Sequence, residues 1–282
     1  MICAERRSSI NPRYKLLVLD IDGTLLNKNG AISENDRQAL SEVQKAGIKV
    51  SLCTGRVTRA CHKILAQLSL NGFHIFFDGA LVCDPIYNQE IYSRPVEPAL
   101  VREAAKAAFS CGVQIEFFSG SQYFSDKVSW RTELRQTFFG TSPTIVDYGS
   151  VWQMKEKIIK GGIIIRSPEE DPKIRQFASI IQDQLSITWT RTPAFPDLAF
   201  INITAPGVSK GKAVEALASY LGIPMDEVAA IGDGTNDIAL LSSAGLAIAM
   251  QNAPEELKAI ADHVTPDVEH CGVAHAIRKY FL

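Results

Sequence analysis

Lys15-Leu16-Leu17-Val18-Leu19-Asp20-Ile21-Asp22-Gly23-Thr24 is the stretch on which the reading of this chain turns. The run Leu16 to Leu19 predicts a strand buried on both faces, and Gly23 predicts a sharp turn just beyond it. Two carboxylates, Asp20 and Asp22, therefore fall at the carboxyl end of a strand. Open α/β sheets bind ligands outside that end of their strands. Paired acids there suit a divalent cation and a reacting phosphate. The same letters also describe an ordinary Asp-rich turn, so the pentad gains meaning only from what accompanies it.

Outward from this point the pattern alternates. Ser33-Glu34-Asn35-Asp36 predicts a helix start with Ser33 as N-cap, Leu40 and Val43 share its apolar face, and Gly47 closes it. A strand Ile48–Cys53 follows, then Thr54-Gly55-Arg56, a helix reaching Leu68, and a third strand His74–Phe77. That pace predicts a doubly wound α/β fold with a parallel sheet. The rhythm changes near Asp78. Ala80–Cys83 and Glu90–Tyr92 flank a hairpin turn. Beyond it come a helix Pro98–Ser110, strands at Val113–Phe118, Gln122–Ser125 and Ile158–Arg166, a helix Pro168–Leu185 capped by Ser167, and a strand Phe200–Ile203. From Ser209 the βα alternation returns, with a helix Lys210–Leu221 and strands Val228–Ile231 and Leu246–Ala249. The expected organisation is a Rossmann-like domain split in sequence, 14–85 with 205–282. An α+β unit, 86–204, is inserted into it, and a flexible tail covers 1–13. A cleft between two such domains is a natural ligand site.

Composition narrows the partners. At 282 residues, with 46% hydrophobic and 21% charged residues, the chain has the makings of two folded domains. A net charge of −2 offers no basic field for nucleic acid. The six cysteines, Cys3, Cys53, Cys61, Cys83, Cys111 and Cys271, form no C-x-x-C pair, which fits a reduced, cytoplasmic protein. No apolar stretch is long enough to span a membrane, and the polar segment Met1–Pro12 lacks the apolar centre of a secretory signal. His62, His74, His263, His270 and His275 show no metal-ligand spacing.

Four segments belong together chemically: Asp20 with Asp22; Thr54, Gly55 and Arg56; Gly207-Val208-Ser209-Lys210-Gly211; and Gly232-Asp233-Gly234-Thr235-Asn236-Asp237. All leave predicted strands or open predicted helices. Mg²⁺ prefers one or two carboxylates plus phosphate oxygens, and Asp20 with Asp233 supply them. A carboxylate can attack phosphorus, and a second acid can protonate the leaving oxygen and later activate water. The residues alone do not divide these two roles between Asp20 and Asp22. The Thr54 hydroxyl, the Lys210 charge and backbone N–H groups can hold the remaining oxygens. Thr54 could otherwise be a helix cap, Asp237 a cap of the helix after it, and Lys210 an exposed helix lysine in competition with Lys212.

The chain resembles the haloacid dehalogenase (HAD) superfamily of phosphatases, in its Cof-type branch with a C2 (type IIB) α/β cap. The resemblance rests on DIDGT at 20–24, TGR at 54–56, SKG at 209–211 and GDGTND at 232–237, supported by Met250-Gln251-Asn252-Ala253 and Cys271-Gly272-Val273-Ala274. It implies Asp20 as nucleophile and Asp22 as general acid/base. Mg²⁺ would then rest on Asp20, the Asp22 carbonyl and Asp233. Thr54, Gly55, Arg56, Lys210 and Asn236 would bind the phosphorylated substrate, with Asp237 and Asn252 in support. Two positions depart from the branch. Asp78-Gly79-Ala80 stands where Asn-Gly-Ala is usual, and Asn202 where relatives often carry an acid.

These readings lead to a Mg²⁺-dependent phosphomonoester hydrolase acting through an aspartyl-phosphate on a small phosphorylated metabolite, a sugar phosphate first. The rivals are a phosphosugar mutase of the same branch and a non-catalytic phosphometabolite sensor. Glu116, Arg131, Arg135, Trp189, Arg191 and Asp197 are candidates for reading the leaving group. The aromatic stretch Phe117, Phe118, Phe124, Trp130, Phe138 and Phe139 reads as core of the inserted unit. The sequence names neither the substrate nor an oligomeric state.

Overall fold

The structure is a computed structural model, which describes residues 13–150, 155–166, 171–192 and 195–282. The expected tail, apart from Arg13, and the Ser167 cap lie outside the described residues. In chain order the first elements are β1 (Leu16–Leu19), α1 (Glu34–Lys45), β2 (Lys49–Leu52), α2 (Thr58–Gln67), β3 (His74–Phe76), β4 (Leu81–Asp84) and β5 (Gln89–Ser93). Next come α3 (Pro98–Cys111), β6 (Glu116–Phe118), β7 (Tyr123–Ser125), α4 (Trp130–Phe139), β8 (Thr144–Ile145) and β9 (Lys160–Ile165). After these stand α5 (Asp171–Ile181), β10 (Ser186–Thr192), β11 (Phe195–Thr204), α6 (Lys210–Leu221), β12 (Val228–Gly232) and α7 (Ile238–Ser243). The chain closes with β13 (Leu246–Met250), α8 (Glu255–Lys258), β14 (His263–Thr265) and α9 (Gly272–Tyr280). No described helix is long and apolar enough to cross a membrane.

Two compact units result. The first comprises residues 1–54, 65–74 and 210–282, and is built on a parallel five-stranded sheet in the order β14-β13-β12-β1-β2. Every side chain of β1 is buried, as its unbroken apolar run requires. Register places the ends of its central strands level: Leu19 lies opposite Ile231 on one side and Leu52 on the other. The ladder continues past the strands, with Asp20 N–H donating to Ile231 O and Cys53 N–H to Leu19 O. Helix α1 forms as its sequence signals, with Ser33 Oγ accepting from Asp36 N–H at 3.0 Å. Leu40 and Val43 are buried on its inner face, and Gly47 follows its end with φ +87°. Asp36 also reaches the start of α9, accepting from Ala274 N–H at 2.7 Å, so one carboxylate ties two helices together.

The second unit comprises residues 55–64 and 75–209. Its larger sheet has six strands in the order β10-β11-β9-β6-β7-β8. One face carries Phe117, Phe124, Ile163, Ile201 and Ile203, packed with Val101, Ala108, Ile174 and Phe177 of α3 and α5. Strand alternation sends Glu116, Phe118, Lys160, Gly162 and Asn202 to the opposite face. That face is the polar one.

The β3–β5 region departs from expectation. His74–Phe76 was read as continuing the parallel sheet; it joins β4 and β5 in a separate three-stranded sheet instead. The cause lies just after it, where Phe77, Asp78 and Gly79 all take positive φ (54°, 57° and 98°) and turn the chain back into β4. Helix α4 and strands β8 and β10 had no counterpart in the sequence reading.

Candidate active site

The level strand ends of the first unit gather its acids. Asp20 and Asp233 follow β1 and β12 directly, and Lys210 opens α6. Lys210 is 1% exposed, with Nζ donating to Asp20 Oδ1 at 2.5 Å and to Asp237 Oδ1 at 2.6 Å. Lys212 is exposed, so the two competing lysines part clearly. A buried lysine between two carboxylates is fixed in place as well as charge-matched.

Asp237 does not cap α7 with its side chain. Its Oδ2 accepts from the N–H groups of Asp233 (3.0 Å) and Gly234 (2.9 Å), shaping the loop that presents Asp233. Asp233 is held from two sides: Thr24 Oγ1 donates to Oδ1 at 2.9 Å and Asn252 Nδ2 to Oδ2 at 3.0 Å. Asn252 also donates to Gly23 O, linking the two acid-bearing loops. Thr24, fully buried, had been assigned no role; its place in the pentad beside two acids was the available signal. Close approach dictates the glycine before it. A Cβ on Gly23, whose φ is +89°, would lie 2.1 Å from Asp233 Oδ2.

Asp20, Asp233 and Asp237 converge, each offering an oxygen within 4.8 Å of the others. Burial pushes the Asp20 carboxyl well above the usual carboxylate range; Lys210 opposes the shift, while Asp237, Asp233 and Asp22 add to it. Burial likewise raises Asp233 to about 6, against the Thr24 hydrogen bond. Both acids thus sit in a pocket of excess negative charge. The donor set fits a divalent cation: hard oxygen ligands, closely spaced, whose mutual repulsion an ion would relieve. Both oxygens of Asp237 are engaged by Lys210 and the loop amides, which leaves Asp20 and Asp233 to face such an ion.

Asp22 stands apart from this cluster and is exposed. Thr54 is 1% exposed, and α2 begins only at Thr58, so Thr54 lies outside its first turn and is not its cap. Asn236 is exposed beside Asp237. Gly55 and Arg56, which follow Thr54 directly, belong to the second unit.

Within that unit, Glu116 and Arg135 meet as a buried ion pair, with the Arg135 guanidinium over the Phe118 ring at 4.8 Å. Glu116 Oε1 is buried without a hydrogen-bond partner. Arg131 is committed to Ile164 O and packs on Trp130. Trp189 pairs across the sheet with Ile201, on the face opposite Glu116. Asp197 is exposed, and the Arg191 side chain lies outside the described residues. Two residues beyond those singled out as site candidates also converge, Asp78 with Lys160 at 4.0 Å. A lysine opening the otherwise apolar run Lys160–Ile165 was the signal for the second of them.

Comparison with known proteins agrees with this geometry. A family model described as haloacid dehalogenase-like hydrolase matches residues 17–277. The 5-amino-6-(5-phospho-D-ribitylamino)uracil phosphatase YcsE of Bacillus subtilis (strain 168) is 30% identical over 274 residues, covering 95% of this chain and 96% of its own. Among solved structures, a haloacid dehalogenase-like hydrolase from Bacteroides thetaiotaomicron superposes with a TM-score of 0.82 at 25% identity, covering 95% of this chain and 100% of that one. The subclass IIB sugar phosphatase BT4131 shares the fold, with a TM-score of 0.77 at 24% identity over 94% of this chain and 98% of that one. Its strand-end acids, its buried lysine and its relatives place the chain in the family of haloacid dehalogenase-like hydrolases, as a phosphatase.

Proposed function

We propose that the protein is a Mg²⁺-dependent phosphomonoesterase that forms an aspartyl-phosphate on Asp20. The observation that carries this reading is the double engagement of Lys210, buried between Asp20 and Asp237. Lys210 occupies Oδ1 of Asp20, which leaves Oδ2 as the attacking oxygen. Attack on phosphorus breaks the ester P–O bond, and the departing alkoxide takes a proton from Asp22. Exposure of Asp22 suits a group that must meet the leaving oxygen and then water. Asp22 next removes a proton from water as that water attacks the phosphorylated Asp20, releasing inorganic phosphate and restoring both carboxylates. Thr54, Lys210 and the amides around Gly55 and Arg56 hold the non-bridging oxygens. Asp20, Asp233 and the Asp22 carbonyl would hold the ion. A bound Mg²⁺ would offset the negative charge that otherwise keeps a carboxylate from an anionic phosphate.

The substrate class is a small phosphorylated metabolite rich in hydroxyls, a sugar phosphate first. The name of the Bacillus relative, a phosphatase of a phosphoribityl compound, supports this. The polar sheet face with Glu116, Arg135 and Asn202 supplies groups suited to hydroxyls. Cys53, Cys61, Cys83, Cys111 and Cys271 are free thiols, which supports a reducing, cytoplasmic setting.

Phosphate release across sugar phosphates, nucleotides and cofactor phosphates, with Mg²⁺ and with EDTA, tests the reading. Release from hydroxyl-rich phosphomonoesters that EDTA abolishes is the expected result. Transfer between two positions of a phosphosugar with little free phosphate would replace hydrolysis by mutation of the ester.

A further inference from the structure

Asp78 is where this chain departs from its branch, and Lys160 answers it. Lys160 Nζ donates to Gly55 O at 3.2 Å and stands 4.0 Å from Asp78 Oδ2. On the other side of the same residue, a Cβ added to Gly55 would lie 2.7 Å from Asp78 Oδ1, so the carboxylate rests directly against that glycine. Phe77 N–H completes the grip by donating to Arg56 O at 3.1 Å. The peptide that follows Thr54 is therefore held at its α-carbon and at its carbonyl by two side chains of opposite charge.

We propose that Asp78 and Lys160 are positioning residues for the phosphoryl-binding segment, clamping Gly55 and so fixing Thr54, Gly55 and Arg56. The proposal rests on the phosphatase reading of those three residues. Lys160 is 6% exposed, a rare place for lysine unless a partner holds it. Asp78, from the turn after β3, and Arg135, from α4, are the charges that act on it. Arg135 is in turn neutralised by Glu116 of β6. The four groups form an alternating set, Asp78 with Lys160 and Arg135 with Glu116, in which Lys160 alone reaches the Gly55 carbonyl. An asparagine at position 78 would keep the shape but remove the charge that keeps this lysine protonated. That is the chemical consequence of the departure.

Burial lowers Lys160 to about 8; Asp78 opposes the shift and Arg135 adds to it. Lys160 is thus charged below about pH 8 and becomes a weaker donor above it. Removing Asp78 leaves burial and Arg135 less opposed, so the midpoint moves lower.

The test compares the wild type with Asp78→Asn, Lys160→Met and Lys160→Arg, using Mg²⁺ and a generic aryl phosphate. Two readouts are taken: kcat/KM against pH, and the pH dependence of Lys160 acetylation by mass spectrometry. Asp78→Asn is expected to move the alkaline limb of kcat/KM and the labelling midpoint downward together. Lys160→Met is expected to lower kcat/KM about tenfold, the scale of a misplaced binding segment. Lys160→Arg is expected to recover most of that loss and to lack the alkaline limb. A labelling midpoint that moves while the pH–rate profile stays still overturns the proposal. So does a folded Lys160→Met variant within about twofold of the wild type. Should Lys160→Met not fold, Asp78→Asn and Lys160→Arg decide alone. A wild type that hydrolyses nothing defeats the phosphatase reading, and the positioning role falls with it; an active wild type with indifferent variants defeats only the positioning role.

Discussion

Asp20→Asn keeps the shape of the side chain at the centre of the site and removes its charge and nucleophilicity. Turnover should fall by at least about 10³-fold, since no second group stands ready to form the covalent intermediate. Stability should not fall with it. The wild-type carboxylate is penalised by burial and by repulsion from Asp237 and Asp233, so without metal the variant should melt at the same temperature or higher. Phosphate release and a thermal melt in EDTA check both halves, and a variant with substantial turnover removes Asp20 from its role. The residues of this site were largely legible in the sequence because each sits in a short motif whose chemistry demands its type. Thr24 and Lys160 were not legible as site residues. A threonine after glycine and a lysine before a strand are ordinary letters, and only the fold brings them to Asp233 and to Gly55. The separation of Asp20 from Asp22 by residue reasoning alone failed for a related cause. Both are aspartates at a strand end, and what divides them is the burial of one and the exposure of the other.

At the level of elements, Asp36 serves as the joint between α1 and α9. Its carboxylate accepts from the Ser33 hydroxyl and from Ala274 N–H at the first turn of α9, while being 1% exposed. Asp36→Ala leaves that buried N–H without a partner and should destabilise the chain by about 2 kcal/mol. Because neither helix carries a site acid, kcat/KM for an aryl phosphate should stay within about twofold of the wild type. Denaturant unfolding and steady-state kinetics measure the two effects; a large kinetic loss without destabilisation would refute the separation. The helices that carried clear caps and periodic faces, such as α1 and α6, were readable to within a residue or so. Helix α4 was not, since Trp130, Phe138 and Phe139 make its ten residues look like core rather than a one-sided helix. Strand β10 was missed because Ser186–Thr192 mixes polar and β-branched residues with no turn signal before it. The misplacement of β3 has a different origin. A strand's own sequence does not say which sheet it joins, and here three consecutive positive-φ residues make that choice.

For the molecule as a whole, the division of labour between the units follows from where the charges lie. Asp20, Asp233, Asp237 and Lys210 all belong to the first unit, whose parallel sheet brings their strand ends level. The second unit holds the Asp78–Lys160 and Glu116–Arg135 pairs. A cation that binds the folded first unit and not the unfolded chain must therefore stabilise the fold through that unit's carboxylates. The thermal midpoint should climb with Mg²⁺ concentration, by the equivalent of about 2.7 kcal/mol at a hundredfold excess over Kd. Asp233→Asn removes one of the two carboxylates left to face the ion and should flatten the climb, although the variant is no less stable than the wild type in EDTA. Asp78→Asn, which alters only the second unit's charges, should retain the full climb. Calorimetry of the three proteins across a Mg²⁺ series makes the comparison. A wild-type midpoint indifferent to Mg²⁺, or an Asp233→Asn midpoint that climbs as steeply, would remove Asp233 from the metal site. A climb lost in Asp78→Asn would instead tie the second unit's charges to the ion, contrary to the geometry of the first.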